Sequence, residues 1–168
     1  MSNLCAGQAV PKSFGRLCLP IGLLLVFFAG CGWNEREPAQ AVVTSKNLER
    51  VHGKPWSLRA ITIDGSNVVM HVDALMAIRF DPDGQARGYG GVSQFSRGYA
   101  FDDGGALKWT TPDFALQRKS GPPELRDKEQ VYLDALKQVT RGIAGKKSLT
   151  LQSEDGSTLL TYVSPDAM

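Results

Sequence analysis

Pro122-Pro123-Glu124-Leu125-Arg126-Asp127-Lys128-Glu129-Gln130-Val131-Tyr132-Leu133-Asp134-Ala135-Leu136-Lys137-Gln138-Val139-Thr140-Arg141-Gly142 is the stretch of this chain that reads as a helix. No glycine or proline interrupts it between Pro123 and Gly142. Apolar side chains fall at Tyr132, Leu136, Val139 and Ile143, steps of four, three and four, and Leu125 and Leu133 join them. That spacing puts them on one helical face. The double proline with Glu124 suits a first helical turn, and Gly142 suits the end of the helix. Glu124 and Lys128, four residues apart, form a surface pair worth a few tenths of a kcal/mol.

Around this stretch the chain reads as short strands and tight turns. Trp56-Ser57-Leu58-Arg59-Ala60-Ile61-Thr62-Ile63 is rich in β-formers and stops at Asp64-Gly65-Ser66. Leu75 to Phe80 runs into Asp81-Pro82-Asp83-Gly84, with proline second and glycine fourth as a type I turn prefers. Gln85 to Phe95 and Tyr99-Ala100-Phe101 read as further strands, parted from Leu107-Lys108-Trp109 by Asp102-Asp103-Gly104-Gly105. Leu149-Thr150-Leu151 and Leu159 to Val163 flank Glu154-Asp155-Gly156-Ser157, a hairpin signal. One amphipathic helix among many strands must lay its apolar face on the sheet. The expected class is therefore mainly β within α+β: a curved antiparallel sheet packed on a single helix.

The other informative stretch is N-terminal. Lys12 and Arg16 precede an apolar run, Leu17 to Ala29, that ends Phe27-Phe28-Ala29-Gly30-Cys31. A basic region, a short apolar run and small residues make a secretory signal; a membrane-spanning helix needs roughly 20 apolar residues. The ending resembles the lipobox of bacterial lipoproteins, with Phe28 where leucine is usual. That resemblance implies cleavage between Gly30 and Cys31 and lipidation of the Cys31 thiol. Two acyl chains suffice for stable anchoring. Gly32, not aspartate, follows Cys31, which by the same resemblance implies the periplasmic face of the outer membrane. The expected organisation is a signal peptide over 1–30, a flexible tether over 31–52 that holds Trp33 near the interface, and one domain over 53–165.

Composition narrows the function classes. The chain has 19 basic and 17 acidic residues. Lys12 and Arg16 fall in the leader and no acidic residue does, so the remainder is formally neutral. A nucleic-acid binder would carry a clustered basic excess. Cys5 and Cys18 also fall in the leader, which leaves Cys31 alone and predicts no disulfide in the domain.

The order of local words resembles the META domain family, which includes the heat-inducible HslJ-type lipoproteins. The words run from Trp56-Ser57-Leu58 through Ala77-Ile78-Arg79-Phe80, the Gly84 turn, Gly91-Val92-Ser93-Gln94-Phe95, Gly98-Tyr99 and Leu107. They continue with the helix around Tyr132-Leu133-Asp134-Ala135-Leu136 and end at the last hairpin. The resemblance implies a partly open antiparallel β-barrel curled around the helix. Many relatives carry cysteines where this chain has Val92 and Leu116. If those thiols pair, the bridge would be worth roughly 3 kcal/mol, and Val92 and Leu116 are expected to touch in the core instead.

Candidates for chemistry are few. His52 and His71 stand in no metal-binding spacing. Asp81 with Asp83, and Asp102 with Asp103, lie beside glycine in turns, which turn chemistry explains. Gly88-Tyr89-Gly90-Gly91 is followed by strand, not by the helix N-terminus a phosphate loop needs, and reads as glycines that let the sheet bend. Ser93 and Ser96 have no activating partner. Arg118-Lys119 and Lys146-Lys147 read as solvated loops, with contact to anionic headgroups as the functional alternative. The rings of Trp56, Phe80, Tyr89, Phe95, Tyr99, Phe101, Trp109, Phe114 and Tyr132 either fill the core or line an apolar groove.

The expected protein is a non-enzymatic, monomeric, lipid-anchored envelope protein without cofactor, metal or nucleic-acid partner. Its expected role is interaction or assembly linked to envelope stress tolerance, with another envelope component as partner. The alternative is a carrier or sensor that holds a lipid or other apolar ligand in a groove lined by Tyr132, Leu136 and Val139.

Overall fold

The computed structural model describes residues 40–68 and 76–164. Cys31, Gly30, Trp33 and His71 lie outside the described residues. The strands are β1 (Gln40–Val42), β2 (Trp56–Ile63), β3 (Ser66–Val68), β4 (Ala77–Phe80), β5 (Gln85–Tyr89), β6 (Gln94–Phe101), β7 (Leu107–Trp109), β8 (Ala115–Gln117), β9 (Val139–Gly145), β10 (Ser148–Ser153) and β11 (Thr158–Val163). The helix α1 spans Pro123–Gln138. All named strand pairs are antiparallel, in the order β1-β9-β10-β11-β2-β4-β5-β6-β7, with β3 beside β2 and β8 beside β6. The expected curved antiparallel sheet packed on one helix is the fold observed. An isolated bridge between Ala106 and Arg141 brings the two ends of the curl together, but no ladder closes them.

Turn chemistry sets the hairpins as their residues demand. Asp64 and Gly65 have φ of 50° and 75° and join β2 to β3, the two positive values of a type I′ turn. Curvature comes from bulges between Gln152 and Ser153 and between Thr161 and Tyr162, since an extra residue bends a strand and increases its twist.

Three expectations are corrected. The helix ends at Gln138, and Val139 is already extended, with φ −74° and ψ 135°. Val139, Thr140 and Ile143 are β-branched, favour strands, and pass straight into β9. Gly142 is therefore a strand residue: a Cβ there would lie 3.2 Å from the Phe101 ring. The tether expected to reach His52 is folded from Gln40 onward. The strand β1 pairs with β9, and Val43 and Val51 are fully buried. The expected strand Gln85–Phe95 is a hairpin, broken at Gly90-Gly91-Val92-Ser93, where Gly91 has φ 110°. Of the pair expected to touch in the core, Val92 is buried against Gly121, outside the main cluster. Leu116 is half-buried at the core's margin, opposite Phe95.

The interior is filled with Trp56, Ile61, Phe80, Leu149, Leu151, Leu160 and Tyr162 from the sheet and Tyr132 and Leu136 from α1. Leu136 is 0 % exposed, whereas Val131 on the opposite face is 36 % exposed. Leu136→Ala is expected to lose about 2–5 kcal/mol in urea unfolding, and Val131→Ala less than about 0.5 kcal/mol. Equal effects would mean that the helix is rotated about its axis.

Burial also governs three phenols. Burial, and then the charges of Asp81 and Asp83, push Tyr99 up to about 12. Burial likewise raises Tyr132 and Tyr162. Each folded value exceeds the ordinary value of about 10. The stability they contribute is complete below pH 10; that of Tyr99 is lost as pH rises through about 12, and that of Tyr132 and Tyr162 at higher pH still. A spectrophotometric titration should show these phenols ionising together with loss of circular dichroism. Their ionisation near pH 10 in a still-folded chain would contradict this.

Candidate functional site

The groove anticipated along Tyr132, Leu136 and Val139 is occupied by protein. These residues are 0 %, 0 % and 1 % exposed. The Tyr162 hydroxyl donates to that of Tyr132 at 3.3 Å. None of the three lines either of the two clefts described below.

The larger cleft lies on the outer face of β4, β5, β6 and β8. Strand alternation builds it, because inward Ile78, Gly88, Phe95 and Leu116 leave their neighbours pointing out. Two cross-strand rows result, Arg79–Arg87–Ser96–Ala115 and Ala77–Tyr89–Gln94–Gln117. With Pro55 they line a shallow groove of about 800 Å³. Gly88 keeps the sheet close here, since a Cβ would come 2.3 Å from both the Ala77 carbonyl oxygen and the Phe95 ring. Of the aromatic set, Tyr89 and Phe95 line this groove.

Charge in the groove is largely matched. Arg87 reaches both Asp81 and Asp83, and Arg79 Nε lies 2.7 Å from Asp81. Burial alone would raise the Asp81 carboxyl, but hydrogen bonds from Arg87 and Arg79 hold it below the usual carboxylate range. The Arg87 hydrogen bond does the same for Asp83, and the two carboxylates raise Arg87. The Asp81-Pro82-Asp83-Gly84 turn therefore positions arginines instead of binding a cation. Asp102 accepts from the Gly104 and Ala106 amides, and Asp103 from Ser45, so that pair is also structural. His52 contacts the Tyr99 hydroxyl at 2.8 Å. Among the described residues no group of three or more His, Cys, Asp or Glu is placed to hold a metal ion.

The smaller cleft, about 350 Å³, lies between α1 and the segment 116–120. The helix contributes Arg126, Glu129, Gln130 and Leu133, at steps of three, one and three along one face. Glu129 is 8 % exposed, and its Oε2 accepts from the Val92 and Ser93 amides at 3.0 and 2.6 Å. It thereby fastens the β5–β6 loop to the helix. A sequence signal existed: Glu129 stands four after Leu125 and three before Tyr132, a carboxylate on the apolar stripe.

A second buried charge had no such signal. Arg97 is 8 % exposed and lies between the rings of Trp109 and Phe114, 5.0 and 4.8 Å from their centres. It donates to the carbonyls of Thr111 and Pro112 at 3.0 and 2.7 Å, so it shapes the β7–β8 connection. Burial lowers its pKa, with Asp113 acting in the opposite sense.

Removing a buried acceptor leaves its donors unpaired, at about 1–3 kcal/mol each. Glu129→Ala is thus expected to lose about 2–5 kcal/mol in urea unfolding. Deuterium exchange should quicken at Val92 and Ser93 before it does in β10 and β11. Glu129→Gln, which keeps an acceptor oxygen, should recover part of the loss. Uniform exchange in all segments would deny this tie a local role.

Residues 47–166 match the family model of the META domain. Among solved structures, the chain is similar to a protein from Burkholderia xenovorans determined by NMR, with 20 % identity and a TM-score of 0.57. The match covers 77 % of this chain and 97 % of that one. It is also similar to a DUF4847 family protein from Bacteroides vulgatus, with 10 % identity and a TM-score of 0.51, over 69 % of this chain and 95 % of that one. These likenesses concern the fold. No curated protein matches the sequence.

Proposed function

Because this chain belongs to the META domain family, and because the residues of its helix–sheet interface are buried against one another, we propose that it works through its outer surface. On this reading it is a non-enzymatic, lipid-anchored envelope protein that binds another envelope component, in assembly or stress tolerance. The observation that carries the reading is the filled interior. Tyr132, Leu136 and Val139 have no surface left for an apolar ligand. The 800 Å³ groove presents Tyr89, Gln94, Gln117 and two arginines to the outside. A shallow groove that combines apolar side chains with arginine and amide groups suits a partner-protein surface, where both kinds of contact are made. Anchoring rests on Phe27-Phe28-Ala29-Gly30-Cys31, which supplies the signal and the thiol. The carrier alternative requires α1 to lift from the sheet and vacate the space that Tyr132 occupies.

Two measurements test the reading. Cys31→Ala should move the protein from the membrane pellet to the soluble fraction or leave it unprocessed; unchanged acyl labelling would remove the anchor from the proposal. Native mass spectrometry of the full chain, released from neutral detergent, should give a mass free of ligand. A discrete added mass that leaves on organic extraction would put the carrier reading first.

A further inference from the structure

The smaller cleft has a charge pattern that the fold leaves unanswered. Three cations line it: Arg118 and Lys119 from the segment after β8, and Arg126 from the first turns of α1. Two are adjacent in sequence and the third stands on the helix a few residues later, and none has an acidic partner within ion-pair distance among the described residues. Several other surface cations do have such partners, while Arg59, Arg141, Lys146 and Lys147 are exposed without one among the described residues and line neither cleft. Arg79 and Arg87 meet Asp81, Lys108 meets Asp102, Lys128 meets Glu124, and Lys137 meets Asp134. The single acid in the cleft, Glu129, spends one oxygen on two backbone amides.

Pro122 at its N-cap provides no side-chain acceptor, and Glu124 in the first turn offsets the helix dipole, so the cations themselves carry the positive charge of the cleft. Beneath the cations the cleft has an apolar floor of Leu116 and Leu133. Its 350 Å³ admits a small molecule or the head of a larger one.

We infer that this cleft binds a phosphate ester, with Arg118, Lys119 and Arg126 holding the phosphate oxygens and Leu116 and Leu133 facing the esterified carbon chain. Three cations lining one cleft match an oxyanion with several acceptor oxygens better than a carboxylate, which one arginine satisfies in bidentate fashion. Two cationic charges in excess of Glu129 suit a phosphate monoester or diester. Lys146-Lys147, by contrast, lies on the exposed β9–β10 turn and lines neither cleft. The site goes beyond the partner-surface reading and stands whether or not Cys31 carries lipid.

The phosphate can belong to a free metabolite or to a lipid headgroup. The test titrates the full chain in neutral detergent at low ionic strength with inorganic phosphate, glycerol 3-phosphate and monomeric dihexanoylphosphatidylglycerol. Amide NMR shifts at Ser93, Ser120 and Gln130 report occupancy. At least one probe should saturate a single site. Tightest binding by glycerol 3-phosphate identifies a free ester, and tightest binding by the short-chain lipid identifies a headgroup. Arg118→Ala/Arg126→Ala should weaken the best probe by at least about tenfold at an unchanged melting temperature, whereas Lys146→Ala/Lys147→Ala should leave it as it is. Absence of saturation with all three probes would overturn the inference. So would binding that the arginine pair does not affect, or that the lysine pair weakens equally, because that is general charge attraction.

Discussion

Tyr132 touches both halves of the sheet at once, and the architecture depends on that contact. On one side its hydroxyl accepts from Tyr162 of β11. On the other its ring meets Phe95 of β6 edge-on, 5.9 Å between centres. The ladder at the middle is short: β2 and β4 pair at Trp56–Ile78 and Ser57–Ala77, extended by the Leu58 amide on the Met76 carbonyl. A curled sheet with so short a ladder at its middle needs something inside to hold the curvature. One side chain that buries a large ring and satisfies its polar tip does this without leaving a void. The alkaline limit on stability has the same source, because a phenolate cannot be hydrated in that position.

The buried charges extend this arrangement to the periphery. Arg97 and Glu129 lie where regular hydrogen bonding stops: Arg97 under the β7–β8 connection, Glu129 under the β5–β6 loop. Loop amides and carbonyls that no strand can pair must find other partners if they are buried. A guanidinium supplies donors to two carbonyls, and a carboxylate supplies an acceptor to two amides. Both arrangements use charge-assisted bonds, stronger than neutral ones. The charges are thus read first as loop fasteners. The cations of the smaller cleft, by contrast, make no ion pair among the described residues.

The sequence was legible where one local rule acted alone. The strand Trp56–Ile63, the turn at Asp64-Gly65, and the hairpin from Ser148 to Val163 followed from alternation and turn chemistry. The helix was legible from its stripe, but its end was not. Gly142 offered a plausible stop, and the β-branched run from Val139 was outweighed by a periodicity that continued to Ile143 by coincidence. The segment Gln40–His52 looked like spacer because its apolar residues have no period. Its order comes from β9, which it pairs across about 100 residues of sequence, and no local pattern reports such a partner. The clefts were invisible for a related reason. Arg118-Lys119 read as a solvated loop until the fold placed it, with Arg126, along the same cleft as Leu133.

The position of Val92 shows how the tie from α1 takes over work that resemblance assigns elsewhere. The family pattern suggests a covalent bridge from this loop to β8, worth roughly 3 kcal/mol in a chain-entropy account. Here Val92 packs on Gly121, where a Cβ would approach it to 2.7 Å, and Leu116 sits at the rim of both clefts. Apolar contact at that margin cannot replace a bridge, since a half-exposed leucine recovers only part of the roughly 2 kcal/mol of full burial. Glu129 can, because it holds the Val92 and Ser93 amides with two charge-assisted bonds of about 1.5–3 kcal/mol each. The exchange alters geometry as well as energy. A bridge would tie the loop to β8, whereas the carboxylate ties it to α1 and leaves the space between α1 and β8 open. The cleft that gathers Arg118, Lys119 and Arg126 is that space.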